Sequence, residues 1–218
     1  MTSGFDEFRL GQQFGLTEDQ VQLCRHASDY FEATLHPLQQ RMDDEDWWPA
    51  ETFREVAAMG YLGTTVPAEY GGQGLDYLSA GLICEVMAYW NPSFAFSWLN
   101  ADNLVIDNLY RNGSEEQRQR FLPRLCAGEI IGALGMTEPG AGSDALGSMK
   151  TSARRDGDHY VVNGSKIFIT NGPIADIVLT YVRTDATQGR SKGISALLVE
   201  KEFEGFSVAQ KLDKMGFR

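Results

Sequence analysis

Residues 126–144 read Cys-Ala-Gly-Glu-Ile-Ile-Gly-Ala-Leu-Gly-Met-Thr-Glu-Pro-Gly-Ala-Gly-Ser-Asp, and the fold turns on them. Before Gly128 the apolar residues recur at helical spacing. From Ile130 to Gly135 they run on almost without interruption, as in a buried strand. That run stops in a loop of hydroxyls, a carboxylate, a proline and two glycines. Gly140 and Gly142 lack a Cβ, so the backbone there can bend freely and approach a bulky ligand. Thr137 and Ser143 set hydroxyls beside exposed amides, a combination able to hold phosphate or ring-carbonyl oxygens.

Upstream, residues 17–128 predict helices. Val21, Cys24, Phe31, Leu35 and Leu38 form a one-sided stripe, with a capping box at Thr17 and Gln20 and Pro37 near the end. Pro49 can open a helix carrying Phe53, Val56 and Ala57, with Gly60 as its stop. A glycine-rich loop at 71–74 precedes a stripe at Leu78, Leu82, Ile83 and Val86. Ser114 and Gln117 make a further capping box before Gly128. The acidic run Asp43-Asp44-Glu45-Asp46 reads as a solvated loop between helices.

Downstream the period is that of strands. Residues 148–170 predict two strands around Asp156-Gly157-Asp158, with a second tight turn at Asn163-Gly164. Residues 177–182 and 194–199 are short branched runs on either side of a polar loop, and Phe206-Ser207-Val208 reads as another strand. Helices followed by strands imply an α+β chain, with a helical bundle over 1–128 and a mainly antiparallel β domain over 129–218. A second polar motif, Lys-Ile-Phe-Ile-Thr-Asn-Gly at 166–172, places the aromatic face of Phe168 and the hydroxyl of Thr170 at a strand end.

The formal charge of −11, from 19 basic and 30 acidic residues, argues against a nucleic-acid or anionic-membrane partner. No apolar stretch is long enough for a membrane span, so no insertion is expected. The first residues, with Asp6 and Glu7, have neither signal nor transit character, and cytoplasm is the default. Cys24, Cys84 and Cys126 are widely spaced among apolar neighbours, and no metal-ligand pattern is visible. For single residues a plainer reading stands beside the functional one. Taken by itself Phe168 reads more readily as core, and Thr137 and Ser143 read equally as loop hydroxyls satisfying their own backbone.

Taken in order, the motifs at 136–144 and 166–172, with Val66-Pro67-Ala68-Glu69-Tyr70-Gly71-Gly72 and Lys211-Leu212-Asp213-Lys214-Met215-Gly216, resemble the acyl-CoA dehydrogenase family. Arg111-Asn112-Gly113 and Ile169-Thr170-Asn171-Gly172-Pro173 are nearest its isovaleryl-CoA branch. The resemblance implies FAD as cofactor, a short or branched acyl-CoA as substrate and electron-transfer flavoprotein as electron acceptor. It also implies a homotetramer at full length and a place in fatty acid or branched-chain amino acid catabolism.

By motif position, Leu134, Met136 and Thr137 match residues at the flavin ring edge. Gly142 belongs to the same loop, and Ser143 matches a residue at the diphosphate and thioester side, touching cofactor, substrate or both. Phe168 matches an aromatic near the flavin, where many relatives carry tryptophan; Ile169 follows it, and Thr170 matches the residue that reaches flavin N5. The family's C-terminal helical domain, with the glutamate that removes the substrate α-proton, is expected to be absent from these 218 residues. No residue here matches that base, and Glu138 belongs to the flavin loop instead. The chain alone is therefore expected to be inactive. Two other readings remain at this stage: an oxidase or monooxygenase of the same fold, and a non-catalytic flavin-binding fragment.

Overall fold

The computed structural model describes residues 15–189 and 192–217. They form two compact units, one of residues 15–129 with 213–217 and one spanning Ile130–Leu212. The last residues thus belong with the helical unit, where Phe217 meets Phe96 edge-on, and not with the strands they follow.

In the helical unit, α1 (Glu18–Thr34) starts at the expected capping box, with the Gln20 amide donating to Thr17 Oγ1 and the Thr17 amide to Gln20 Oε1. It buries Cys24, Ala27 and Phe31. A short 3₁₀ turn (His36–Leu38) takes up Pro37 and leads into α2 (Gln39–Glu45). The acidic run is therefore not a loop. Asp43, Asp44 and Glu45 are helical, and only Asp46 turns out, with φ +52°. The helix persists because Gln40 donates to Asp44 and Arg41 to Glu45 one turn on.

Helix α3 (Ala50–Ala58) follows Pro49 and buries Phe53 and Val56, and α4 (Tyr77–Trp90) is capped by Asp76. Leu82, Ile83 and Val86 of its stripe point inward, whereas Leu78 is exposed. Asn91 caps α5 (Pro92–Leu99), which runs into a π-helical stretch (Asn100–Asp107) and α6 (Asn108–Asn112). The Ser114–Gln117 box opens α7 (Glu115–Cys126). Trp98, Phe31, Phe53 and Phe94 fill the core, and the Trp98 indole donates to the Tyr61 carbonyl.

The π-helical stretch buries acids that sequence periodicity leaves unremarked. Asp102 accepts the Thr64 amide at 3.1 Å and the Thr64 hydroxyl at 2.6 Å, and no cation pairs with it among the described residues. Burial pushes its pKa up, and the bonds from Thr64 only partly oppose this. Asp107 instead accepts from Thr65, Tyr77 and Arg111.

The second unit is a mixed sheet centred on β4 (Ile177–Arg183). Strand β5 (Ile194–Glu200) pairs with it antiparallel along its whole length, from Ile177↔Glu200 to Arg183↔Ile194. Strand β1 (Gly132–Gly135) pairs with it in parallel, from Gly132↔Ile177 to Gly135↔Thr180. The hairpin of β2 (Ser152–Asp156) and β3 (His159–Asn163), turning at Gly157, joins through Ser152↔Arg183. No crossover helix separates the parallel strands. The connection holds only the single turn α8 (Ala145–Ser148) and the hairpin.

The two strands expected around Asp156-Gly157-Asp158 form but end at Asn163, so residues 164–170 are irregular; the strand expected at Phe206-Ser207-Val208 does not form. Phe206 packs instead against the small core of Ala133, Ala175 and Val178, where its area is buried without a ladder. Asp176 fixes the start of β1, accepting the Ile131 amide while its own amide donates to Ile131.

Candidate functional site

Everything the sequence singles out as chemistry lies at the end of β1 and in the two loops beyond it. Parallel pairing with β4 ends at Gly135, where an added Cβ would come within 3.1 Å of Val178. The chain then leaves the sheet as Met136 and Thr137 and folds back in a tight turn closed by mutual Glu138 and Ala141 backbone bonds. The second loop is held to the first by the Ile167 amide, which donates to the Thr137 carbonyl at 2.9 Å.

The junction is built on Glu138. Its carboxylate accepts the Lys150 amide at 2.7 Å, the Thr151 amide at 2.9 Å and the Lys166 ammonium at 2.8 Å. Lys166 also donates to the Met136 carbonyl at 3.1 Å. The two charged side chains are 10% and 5% exposed. Burial alone would raise the Glu138 pKa. The bonds from Lys166, Thr151 and Lys150 outweigh it and hold the carboxyl at about 2. A carboxylate so occupied is too weak a base to take a carbon-bound proton. One ion pair thus ties together the end of β1, the 138–141 turn, the lead into β2 and the second loop.

Around this junction the predicted residues divide by where they point. The hydroxyls of Thr137, Ser143 and Thr170 have no hydrogen-bond partner among the described residues, so they are not loop hydroxyls closing on their own backbone. Gly140 and Gly142 have ordinary negative φ, and a Cβ on either would meet nothing within 4 Å. Internal packing does not require glycine at these exposed places. Phe168 is not core. It is 71% exposed, with φ +58°. Ile169 is half-buried and packs against the cluster of Ala133, Ala175 and Val178. Leu134 and Met136 are half-buried.

Two contributors escaped the sequence reading. Asn171, buried at φ +64°, donates to the Gly132 carbonyl and sets the exit of the second loop. The Asn-Gly dipeptide at 171–172 is the signal that could have marked this turn. Lys166 stands in the quoted motif, but its partnership with Glu138 spans 28 residues and has no local signature. Among the described residues no cluster of three potential metal ligands occurs, and no helix is long and apolar enough to cross a membrane.

A helical unit followed by a mixed sheet, with two polar loops meeting at one sheet end, defines the class. The acyl-CoA dehydrogenase N-terminal domain matches residues 17–129, and the acyl-CoA dehydrogenase middle domain matches residues 133–218. The chain belongs to the acyl-CoA dehydrogenase family. It is 42% identical over 207 residues to a mitochondrial isovaleryl-CoA dehydrogenase of Pongo abelii, covering 94% of this chain and 49% of that protein. A solved chain from work on the electron-transferring flavoprotein of Acidaminococcus fermentans is 38% identical, with a TM-score of 0.88, over 94% of this chain and 53% of its own. The glutaryl-CoA dehydrogenase of Mycobacterium smegmatis, solved with FADH2, is 31% identical with a TM-score of 0.88, over 98% of this chain and 53% of its own. The chain spans about half the length of the relatives it matches.

Proposed function

We propose that this chain forms the flavin-facing and thioester-facing part of an FAD-dependent acyl-CoA dehydrogenase that converts a short or branched acyl-CoA to its 2-enoyl-CoA. The observation that carries the reading is the pair of loops locked together at Glu138 and Lys166 while three hydroxyls, two bare glycines and one exposed aromatic ring are left unused. These residues fit a flat, polar-edged cofactor with a diphosphate tail. FAD, when bound, supplies the acceptor for the substrate's β-hydride.

The protein's part is to bind and orient. Leu134, Met136 and the Thr137 amide face the ring edge, and the open backbone at Gly140 and Gly142 lets the loop approach the cofactor. Ser143 serves the diphosphate and the thioester. The Phe168 ring would lie against the flavin, beside the backbone of Ile169. The Thr170 hydroxyl would donate to the flavin near its hydride-accepting position. Glu138, held ionised by three donors, is structural, and we assign the α-proton to a base outside both loops. An electron-transfer flavoprotein would serve as the electron acceptor, and the full-length protein would work as a homotetramer. Cytoplasm is our assignment of compartment, checked by fractionation.

The test is anaerobic mixing of the full-length, FAD-loaded protein with isovaleryl-CoA, following loss of the flavin absorbance band. Substrate-dependent bleaching is expected. A protein that takes up FAD but bleaches with no acyl-CoA would overturn the reaction, and one that takes up no flavin would overturn the cofactor.

A further inference from the structure

The peptide unit joining Met136 to Thr137 has unequal ends. Its carbonyl accepts the buried Lys166 ammonium at 3.1 Å, while its N–H has no acceptor among the described residues. A cation on the carbonyl draws electron density along the peptide and makes the N–H at the other end a stronger donor, because hydrogen bonds in series polarise one another. The same loop leaves its hydroxyls unpaired, so the donor stands among groups kept for a ligand.

We infer that Lys166 tunes the reduction potential of the bound flavin through the Met136–Thr137 peptide, with Glu138 as its counter-charge. This rests on the flavin reading given above. Reduction places negative charge on the ring, and a polarised donor aimed at its edge stabilises the reduced form more than the oxidised one. Lys166 does not touch the flavin in this scheme. It is a positioning and polarising residue.

The ion pair makes the inference sharp, because its two halves act with opposite sign. Replacing Lys166 with methionine removes the cation from the peptide and leaves the Glu138 charge uncompensated in a buried place. Both effects disfavour reduction. Replacing Glu138 with glutamine keeps the shape and leaves the Lys166 charge uncompensated, which favours reduction. A pair that merely held the loops together would give losses of the same kind from either side. Arginine at 166 keeps the charge and restores the Met136 contact.

The experiment is reductive titration of the full-length, FAD-loaded protein against a reference dye, with flavin content measured first in each variant. Lys166→Met is expected to lower the reduced-to-oxidised ratio at fixed potential at least tenfold, about 30 mV for a two-electron couple. Glu138→Gln is expected to shift it comparably the other way, and Lys166→Arg to stay within a few-fold of the parent. Shifts of the same sign in Lys166→Met and Glu138→Gln, or no shift in either with flavin normally bound, would overturn the inference. Should Lys166→Met not fold, Glu138→Gln alone decides: a rise in potential supports the inference, and an unchanged or lower potential defeats it. Failure of the parent protein to hold flavin defeats the cofactor reading beneath it, which makes the two failures distinguishable.

Discussion

Each unit buries a carboxylate, and the two are handled in opposite ways. In the helical unit Asp102 sits on the π-helical stretch facing the amide and hydroxyl of Thr64 and the backbone of Gly63, with no cation paired to it among the described residues, and burial drives its pKa up. In the β unit Glu138 meets Lys166 and two backbone amides, and its pKa falls to about 2. The helical unit has an extensive aromatic core around Trp98, Phe31, Phe53 and Phe94 and can carry an unpaired acid. The β unit buries smaller apolar side chains, among them Ala133, Ala153, Ala175, Ile177, Leu179 and Val182, and its two polar loops are tied by a charged joint besides. Order in those loops comes from a saturated polar centre.

The strongest way to break that comparison is to remove the cation. Lys166→Met leaves a buried charge unpaired and should destabilise the β unit by about 3–5 kcal/mol in urea denaturation. A cost below about 1 kcal/mol would show that Glu138 is held by its amides alone.

Acid gives the next largest effect. The Glu138 pKa is lower in the folded state than in the unfolded chain, so its stabilisation is complete above the ordinary value of 4.5 and is lost as pH falls towards about 2. The loss amounts to about 3 kcal/mol. Asp102 has the reverse sign. Its raised pKa means that the folded state takes up the proton first, so lowering pH towards the ordinary 3.8 relieves it. Denaturation between pH 6 and pH 3 should show the slope flatten in Glu138→Gln and steepen in Asp102→Asn.

Smaller still is the effect of Thr170→Val. With no internal partner for the hydroxyl, stability should change by no more than about 0.5 kcal/mol. On the flavin reading, stopped-flow reduction should slow by about tenfold or more while FAD affinity changes less. At neutral pH the stability cost of Asp102→Asn should also be small, under about 1 kcal/mol, because the amide oxygen still accepts from Thr64.

Much of this was legible in the chain because it is local. Capping boxes at Thr17 and Ser114 show themselves within four residues, and the change of period at Gly128 separates helix from strand. The two polar loops at 136–144 and 166–172 were readable from their hydroxyls and glycines. The π-helical stretch was not, since wider winding leaves no distinct apolar period, and it placed polar Asn100 and Asp102 inward. The 164–170 segment carries branched residues that favour a strand. Its backbone is committed instead to the joint at Glu138 and to left-handed turns at Phe168 and Asn171. Parallel pairing of β1 with β4 crosses more than forty residues, as the Ile131 to Asp176 bond does, and nothing near either strand announces it.

The left-handed backbone at Phe168 costs roughly 1–2 kcal/mol in a residue with a Cβ, and the chain accepts that strain at a side chain pointing outward. With Ile169 anchored inward and Asn171 fixing the exit, the ring is presented before any ligand arrives. The backbone entropy of placing the ring is thereby met during folding, and association has less freedom left to quench. Glycine at 168 would relieve the backbone and forfeit the ring, whereas tryptophan would keep the same presentation over a larger area. Strain at one φ angle thus becomes readiness at a surface.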